Sequence, residues 1–254
     1  MKFSEKEQKI LDLLEEQGHV DNTELSHYLQ CSTVTIRTMM RSLEKQGLLI
    51  RTHGGARSLD NHLTLTVPAG NIFKDSESKM KIAERAYQYI SDRDTIIIDE
   101  SSNSYYLAQV IKKYANKYLI VITNSLAVAA ELSECDSVDV ISIGGMLTKN
   151  PPAFVGDFAI NTLKNFKAVK AFIGVHGIDP EIGITSIGNE QMMIKKLIFE
   201  ITQQVYVLAC SNKFRTGYLL VSAKLEQIHK IITDTDINQD HYKQICQKVN
   251  LDLV

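Results

Sequence analysis

The pattern that most constrains this chain is a series of short β-branched runs, separated by helical segments, that fills its second part. Thr95-Ile96-Ile97-Ile98-Asp99, Leu119-Ile120-Val121-Ile122-Thr123 and Val138–Ile143 are three such runs. Val169–Ile173, Val205–Leu208 and Lys230–Thr233 extend the series. Apolar residues at helical spacing fall between them, over about 76–90, 104–116, 126–133 and 188–202. Strands without polar alternation are apolar on both faces, so they belong to a mostly parallel sheet covered by helices on each side. The sequence thus predicts an α/β domain over residues 76–254. At 44% apolar and 23% charged, the 254-residue chain has the composition of a globular protein with a core.

Residues 1–58 follow a different rule. Ser4 with Glu7 has the spacing of a capping box, Ile10, Leu11, Leu13 and Leu14 give an apolar stripe, and Gly18 is placed to end that helix. Asp21 is a cap for a short second helix, with Leu25, Tyr28 and Leu29 expected to face inward. Ser32 caps a third, whose buried side is Ile36, Met39 or Met40, and Leu43, and which Gly47 stops. Leu48-Leu49-Ile50 and the stretch Arg51-Thr52-His53-Gly54-Gly55-Ala56-Arg57 then read as a hairpin. Three helices with a tight turn between the last two, followed by a hairpin, is the winged helix-turn-helix layout. Residues 59–75 are polar, with Pro68 and Gly70, and read as a linker.

Charge is divided unevenly inside this first domain. Residues 5–24 carry seven acids against two lysines, whereas residues 31–57 carry Arg37, Arg41, Lys45, Arg51 and Arg57 against Glu44. A cationic stripe on the third helix and wing is the electrostatic footprint of phosphate contact. Thr33, Arg37, Thr38 and Arg41 are read as its outer face, where arginine can fork onto guanine and threonine can meet a phosphate or a thymine methyl. Ser32 and Thr35 stand at the helix start, suited to phosphate, and Arg51, His53 and Arg57 lie on the wing.

Three ordered stretches in this region are similar to the DeoR-type family of bacterial sugar-responsive repressors. They are Ser32-Thr33-Val34-Thr35-Ile36-Arg37, Leu43-Glu44-Lys45-Gln46-Gly47 and Arg51-Thr52-His53-Gly54-Gly55-Ala56. Where the family usually continues its recognition helix with Arg-Asp-Leu, this chain has Thr38-Met39-Met40. The resemblance implies a repressor of carbohydrate-metabolism genes. It also implies a partner in double-stranded operator DNA, relief by a phosphorylated sugar or related metabolite, and a homo-oligomer, dimer or tetramer.

The second domain offers a place for that metabolite. In open α/β sheets, ligands bind beyond the carboxyl ends of the strands. The strand ending at Asp99 runs into Glu100-Ser101-Ser102-Asn103-Ser104, another ends in Thr123-Asn124-Ser125, and a third ends in Gly144-Gly145. Hydroxyls and amides at a helix start can add to free backbone N–H groups as an anion cradle; the plainer reading is that they are caps. The loop order resembles the family's sensor domain, itself similar to ribose-5-phosphate isomerase. That likeness implies a phosphate at Ser101, Ser102, Asn103 and Ser104, with Asp99, Thr123, Asn124, Gly144 and Gly145 shaping the pocket. It further implies Lys195 and Lys213 as neutralising cations. Cys210 stands where the family usually has an aspartate, and Ser102-Asn103-Ser104 where it commonly has Gly-Thr-Thr or a close variant.

Other classes are disfavoured. The N-terminus leads into an acidic amphipathic helix instead of an apolar leader, and no apolar run reaches membrane-spanning length. Cys31, Cys135, Cys210 and Cys246 are too scattered for a zinc knuckle or disulfide framework, so a reducing cytoplasm is expected. His53 and His176 are isolated, and no metal site, cofactor or phosphate-binding glycine motif is expected. Tyr105 and Tyr106 read as packing residues. Asp99, Glu100 and Lys213 leave a sugar isomerase as a rival, one that predicts turnover where a repressor predicts ligand-dependent DNA affinity. A protein-binding module is a third possibility, marked by little salt dependence.

Overall fold

The computed structural model describes residues 5–45, 48–52, 54–58, 75–149, 151–215 and 220–254. The chain divides into two compact units, Met1–Thr64 and Leu65–Val254. Ser4, Gly47, His53 and the expected linker up to residue 74 lie outside the described residues.

The first unit holds α1 (Glu5–Gln17), β1 (His19–Asp21), α2 (Asn22–Tyr28), α3 (Thr33–Lys45), β2 (Leu49–Arg51) and β3 (Gly55–Ser58). Gly18, at φ +71°, turns the chain out of α1 and donates its N–H to Leu14 O at 2.9 Å. Asp21 then caps α2 by accepting from Thr23 N at 2.6 Å and Glu24 N at 3.3 Å. Between α2 and α3, Gln30 adopts a left-handed φ of +48°, and Ser26 Oγ donates to Cys31 O at 2.7 Å, closing the turn. The core is Ile10, Leu14, Leu25, Ile36, Met40 and Leu43 with Val20, Leu29, Leu49 and Ala56. Met40, not Met39, is the fully buried methionine. Tyr28 corrects the expectation: it is 64% exposed, because on this seven-residue helix Leu25 and Leu29 already fill the inward side.

The wing is a three-stranded antiparallel sheet ordered β1-β3-β2, with Leu49 opposite Ser58 and Val20 opposite Ala56. Gly55 has a role beyond the turn. A Cβ there would lie 1.8 Å from Val20 O, so only glycine lets β3 approach β1. Asn22 N donates to Gly54 O at 2.8 Å, which ties the wing to the start of α2.

The second unit holds a seven-stranded parallel sheet, ordered β15-β14-β12-β9-β4-β5-β6. Its strands are β4 (Thr95–Ile98), β5 (Leu119–Thr123), β6 (Val138–Ser142), β9 (Ala168–Ile173), β12 (Thr202–Leu208), β14 (Lys230–Thr233) and β15 (Leu251–Leu253). Its helices are α4 (Ser76–Gln88), α5 (Ser102–Tyr114), α6 (Leu126–Leu132), α7 (Asp157–Leu163), α8 (Asn189–Ile201) and α9 (Gln239–Ile245). Successive residues of the central strands enter opposite cores, as a two-residue period requires. Ile96, Ile98, Phe172, Tyr206 and Leu208 pack on one face, Ile97, Ala171, Ile173, Val205 and Val207 on the other. Tyr106 is buried in the first of these, and Tyr105 packs against it from a half-buried position.

A hairpin of β7 (Met146–Leu147) and β8 (Phe154–Val155), and an antiparallel sheet of β10 (Gly177–Asp179), β11 (Gly183–Ser186) and β13 (Leu220–Ala223), sit on this frame. No described helix is long and apolar enough to cross a membrane.

Candidate functional site

Helix α3 presents the first constellation. Ser32 caps it by accepting from Thr35 N at 3.2 Å, and its hydroxyl lies 2.9 Å from that of Thr35, so the two form one polar cluster at the helix start. Ile36, Met40 and Leu43 face inward. Arg37, Thr38 and Arg41 are exposed on the other side. Thr33 is half-buried, and Val34, at 68% exposure, stands where the outward face is centred. On the wing, Arg51 is half-buried: its guanidinium lies 3.6 Å from the Glu44 carboxylate, which also accepts from Arg51 N at 3.2 Å. Arg57 is half-buried on β3.

The second constellation lies at the carboxyl edge of the parallel sheet. Asp99, fully buried after β4, accepts from Ser101 N at 3.1 Å, Ser104 Oγ at 2.5 Å and Gly174 N at 3.0 Å. It also receives the ammonium of Lys195, which rises from α8 and lies 3.7 Å from Glu100. Glu100, buried, accepts from Asn124 Nδ2 at 2.9 Å. Burial opposes the charge of Lys195, but Asp99 and Glu100 outweigh it and leave the ammonium pKa raised. Two carboxylates therefore face one cation, and the charge of Lys195 is held within the fold.

The loop after β4 is built by the same bonds. Ser101 caps α5 through Ser104 N at 3.1 Å, and Asn103 Nδ2 donates to Leu208 O at 3.0 Å, tying the helix start to the end of β12. Asn103 and Ser104 are buried and bonded inside the protein, while Ser101 and Ser102 are half-accessible. Thr123 Oγ1 donates to Ile98 O at 2.6 Å and accepts from Ser125 N at 3.0 Å. Gly144 and Gly145 follow β6 at φ +65° and +121°; a Cβ at Gly145 would lie 2.8 Å from Val155 O. Cys210 is buried, its Sγ 3.9 Å from Asn103 Oδ1, and burial pushes its thiol up to about 11.

His176 carried no sequence signal beyond its isolation, yet it belongs to this neighbourhood. Burial, with the charges of Lys195 and Lys213 adding to it, pushes its imidazole down to about 4. Lys213 sits on a single 3-10 turn, Ser211–Lys213, whose Ser211 N is held by Asp234 at 2.9 Å. Arg215 adds a further cationic charge that disfavours the imidazolium. A surface hollow of about 370 Å3, lined by Arg93, Tyr118 and Asp139 among others, opens at the amino ends of β5 and β6, at the other end of those strands. No group of three or more potential metal ligands occurs among the described residues.

Residues 6–62 match the DeoR-like helix-turn-helix domain, and residues 74–235 match the DeoR C terminal sensor domain. The chain is 33% identical to the HTH-type transcriptional repressor GlcR of Bacillus subtilis, over 91% of this chain and 88% of the relative. It is 31% identical to the lactose phosphotransferase system repressor of Lactococcus lactis, over 94% of each. Among solved structures, ribose 5-phosphate isomerase A from Neisseria gonorrhoeae aligns with a TM-score of 0.41 at 14% identity, over 54% of this chain and 53% of the isomerase.

Proposed function

The chain belongs to the DeoR family of transcriptional regulators, and from that membership we propose that it represses carbohydrate-metabolism genes and releases its operator when a phosphorylated sugar or related metabolite binds the second unit. It is a DNA-binding regulator, not an enzyme. The division of labour proposed is a DNA-binding domain over residues 1–58, a linker over 59–75 and a sensor over 76–254.

In this reading α3 enters the major groove, with Arg37, Thr38 and Arg41 toward the bases and Ser32, Thr33 and Thr35 toward phosphate. Arg51, His53 and Arg57 would add backbone contacts from the wing. Two copies reading two half-sites make a homodimer the smallest working unit. The metabolite would lie over the strand-end loops Asp99–Ser104, Thr123–Asn124 and Gly144–Gly145. Lys213 would meet its phosphate, and Lys195, through its bonds to Asp99 and Glu100, would hold the loop after β4 in place beneath it. Such a protein works in the cytoplasm.

The observation that carries this reading is the convergence of Asp99, Asn124, Gly174 and Lys195 on one sheet edge. A thermal-shift screen of phosphorylated sugars on the full-length protein tests it, followed by operator titration with each hit. A hit that weakens operator binding at least tenfold is expected. If no phosphorylated sugar shifts the transition or the affinity, the effector assignment fails while the DNA-binding function stands.

A further inference from the structure

Val34 is an apolar, β-branched side chain at the second position of α3, 68% exposed and outside the hydrophobic core of its unit. Valine is a poorer helix former than alanine or the long polar residues, and its two methyls gain nothing from water. One turn on, Thr38 is also exposed, and its Oγ1 donates to Val34 O at 3.0 Å. That bond engages the hydroxyl proton with the helix backbone, so what Thr38 has left to offer outward is its methyl and an acceptor oxygen, not a donor. Residues four apart on a helix are side by side. Val34 and Thr38 therefore form a small strip of methyl groups, bordered by the exposed guanidinium residues Arg37 and Arg41.

We propose that this strip reads the C5-methyl groups of thymine. In the major groove that methyl is the apolar feature that distinguishes one base from the other three, and the N-terminal residues of a recognition helix are the ones that reach base edges. The strip sits at the start of α3, and its width suits one or two neighbouring T·A pairs. Arg37 and Arg41, both along one edge of the strip, would take guanine or phosphate. Specificity is then divided: cations fix the helix in the groove, and Val34 with Thr38 rejects bases without a methyl. This inference rests on the proposal that α3 enters the major groove.

The test begins with an operator selected by the full-length protein from a random duplex pool. Each thymine is then replaced singly by deoxyuridine, which keeps every hydrogen-bonding group and loses only the methyl. One or two positions in each half-site should lose about fourfold in affinity, the ratio that about 0.8 kcal/mol per buried methyl corresponds to. Val34→Ala or Thr38→Ser should weaken binding to the thymine operator by a similar factor and abolish the deoxyuridine effect at one of those positions. Thr38→Val, which keeps a methyl and drops the hydroxyl, should preserve the effect. Neutral deoxyuridine substitutions throughout, or losses that persist unchanged in Val34→Ala and Thr38→Ser, overturn the inference while leaving sequence-specific binding intact. Absence of any selected sequence overturns it together with the groove-reading proposal beneath it.

Discussion

Lys195 donates to the carboxylate of Asp99 across a sequence separation of 96 residues, and both side chains are withdrawn from solvent. The pair joins α8 to the end of β4, the neighbour of the central strand β9, and Glu100 stands beside it at 3.7 Å. Removing the cation leaves two buried carboxylates facing each other. Breaking a buried pair from one side costs about 3–5 kcal/mol, and a domain of this size loses roughly 2–4 °C per kcal/mol. Lys195→Met is therefore expected to lower the melting temperature of the sensor unit by about 6–20 °C, followed by circular dichroism. An unchanged transition would mean that the pair contributes little to the fold.

His176 gives the same region a pH dependence. Its folded-state pKa, pushed down to about 4 by burial and by Lys195 and Lys213, lies below the ordinary value of 6.5. Between those two values the unfolded chain binds a proton that the folded chain refuses, so stability rises with pH across this window. Full benefit is present above pH 6.5 and is lost as the pH falls toward 4. Denaturant unfolding at stepped pH should show this slope, and His176→Gln should flatten it. The imidazole resonances of the folded protein should still be those of the neutral ring at pH 5.5.

How far the sequence revealed this arrangement depends on whether each signal was local. The runs at 95–99, 119–123 and 169–173 announced β4, β5 and β9, because strands buried on both faces are nearly continuous in apolar residues, Lys170 being the exception within β9. Strands β10 and β11 escaped notice: Gly177-Ile178-Asp179 and Gly183–Ser186 mix glycine, acid and hydroxyl, and their pairing is what makes them strands. Likewise β1 is three residues with one buried apolar side chain, Val20, lodged between the end of α1 and the Asp21 cap. Gly55 read as a turn residue, but its requirement comes from Val20 O, 35 positions earlier in the chain and invisible to any local pattern. The strand-end loops were legible as polar helix starts. That Ser104 and Asn103 turn inward, and that the cation expected for a ligand is already paired with Asp99, could be learned only from packing between α5, α8 and β12.

The cationic face of α3 makes a separable prediction. Arg37 and Arg41 are exposed, so Arg37→Ala and Arg41→Ala should leave the melting transition within about 0.5 kcal/mol of the native protein. An arginine forked onto guanine contributes about 1–3 kcal/mol of discrimination. Its loss should weaken operator binding by roughly 5- to 150-fold and relax preference at one base. An arginine that meets phosphate should instead weaken all duplexes alike and reduce the salt slope by about one. Fluorescence anisotropy on the selected operator and a scrambled duplex, at several salt concentrations, assigns each residue to one class. Unchanged affinity in both variants would remove α3 from the interface.

Gly174 offers a way to disable sensing while sparing DNA binding. Its N–H donates to both oxygens of Asp99, at 3.1 and 3.0 Å, and a Cβ at this position would lie 2.3 Å from Ser101 Cβ and 2.4 Å from Ser101 Oγ. These separations are far inside van der Waals contact, and Ser101 is the cap of α5, so it cannot swing aside without releasing Ser104 N. Gly174→Ala must displace the loop after β4 or the end of β9, at an overpacking cost of about 1–3 kcal/mol. All of these residues lie in the second unit, and those proposed to meet DNA lie in the first. The variant should therefore hold its operator with native affinity and fail to release it, even when the phosphorylated sugar that most stabilises the native protein is present at saturating concentration. Operator titration with and without that compound measures the response directly. A native-like release midpoint in Gly174→Ala would show that the contact between Ser101 and Gly174 takes no part in recognising the metabolite, and would move the binding site away from this edge of the sheet.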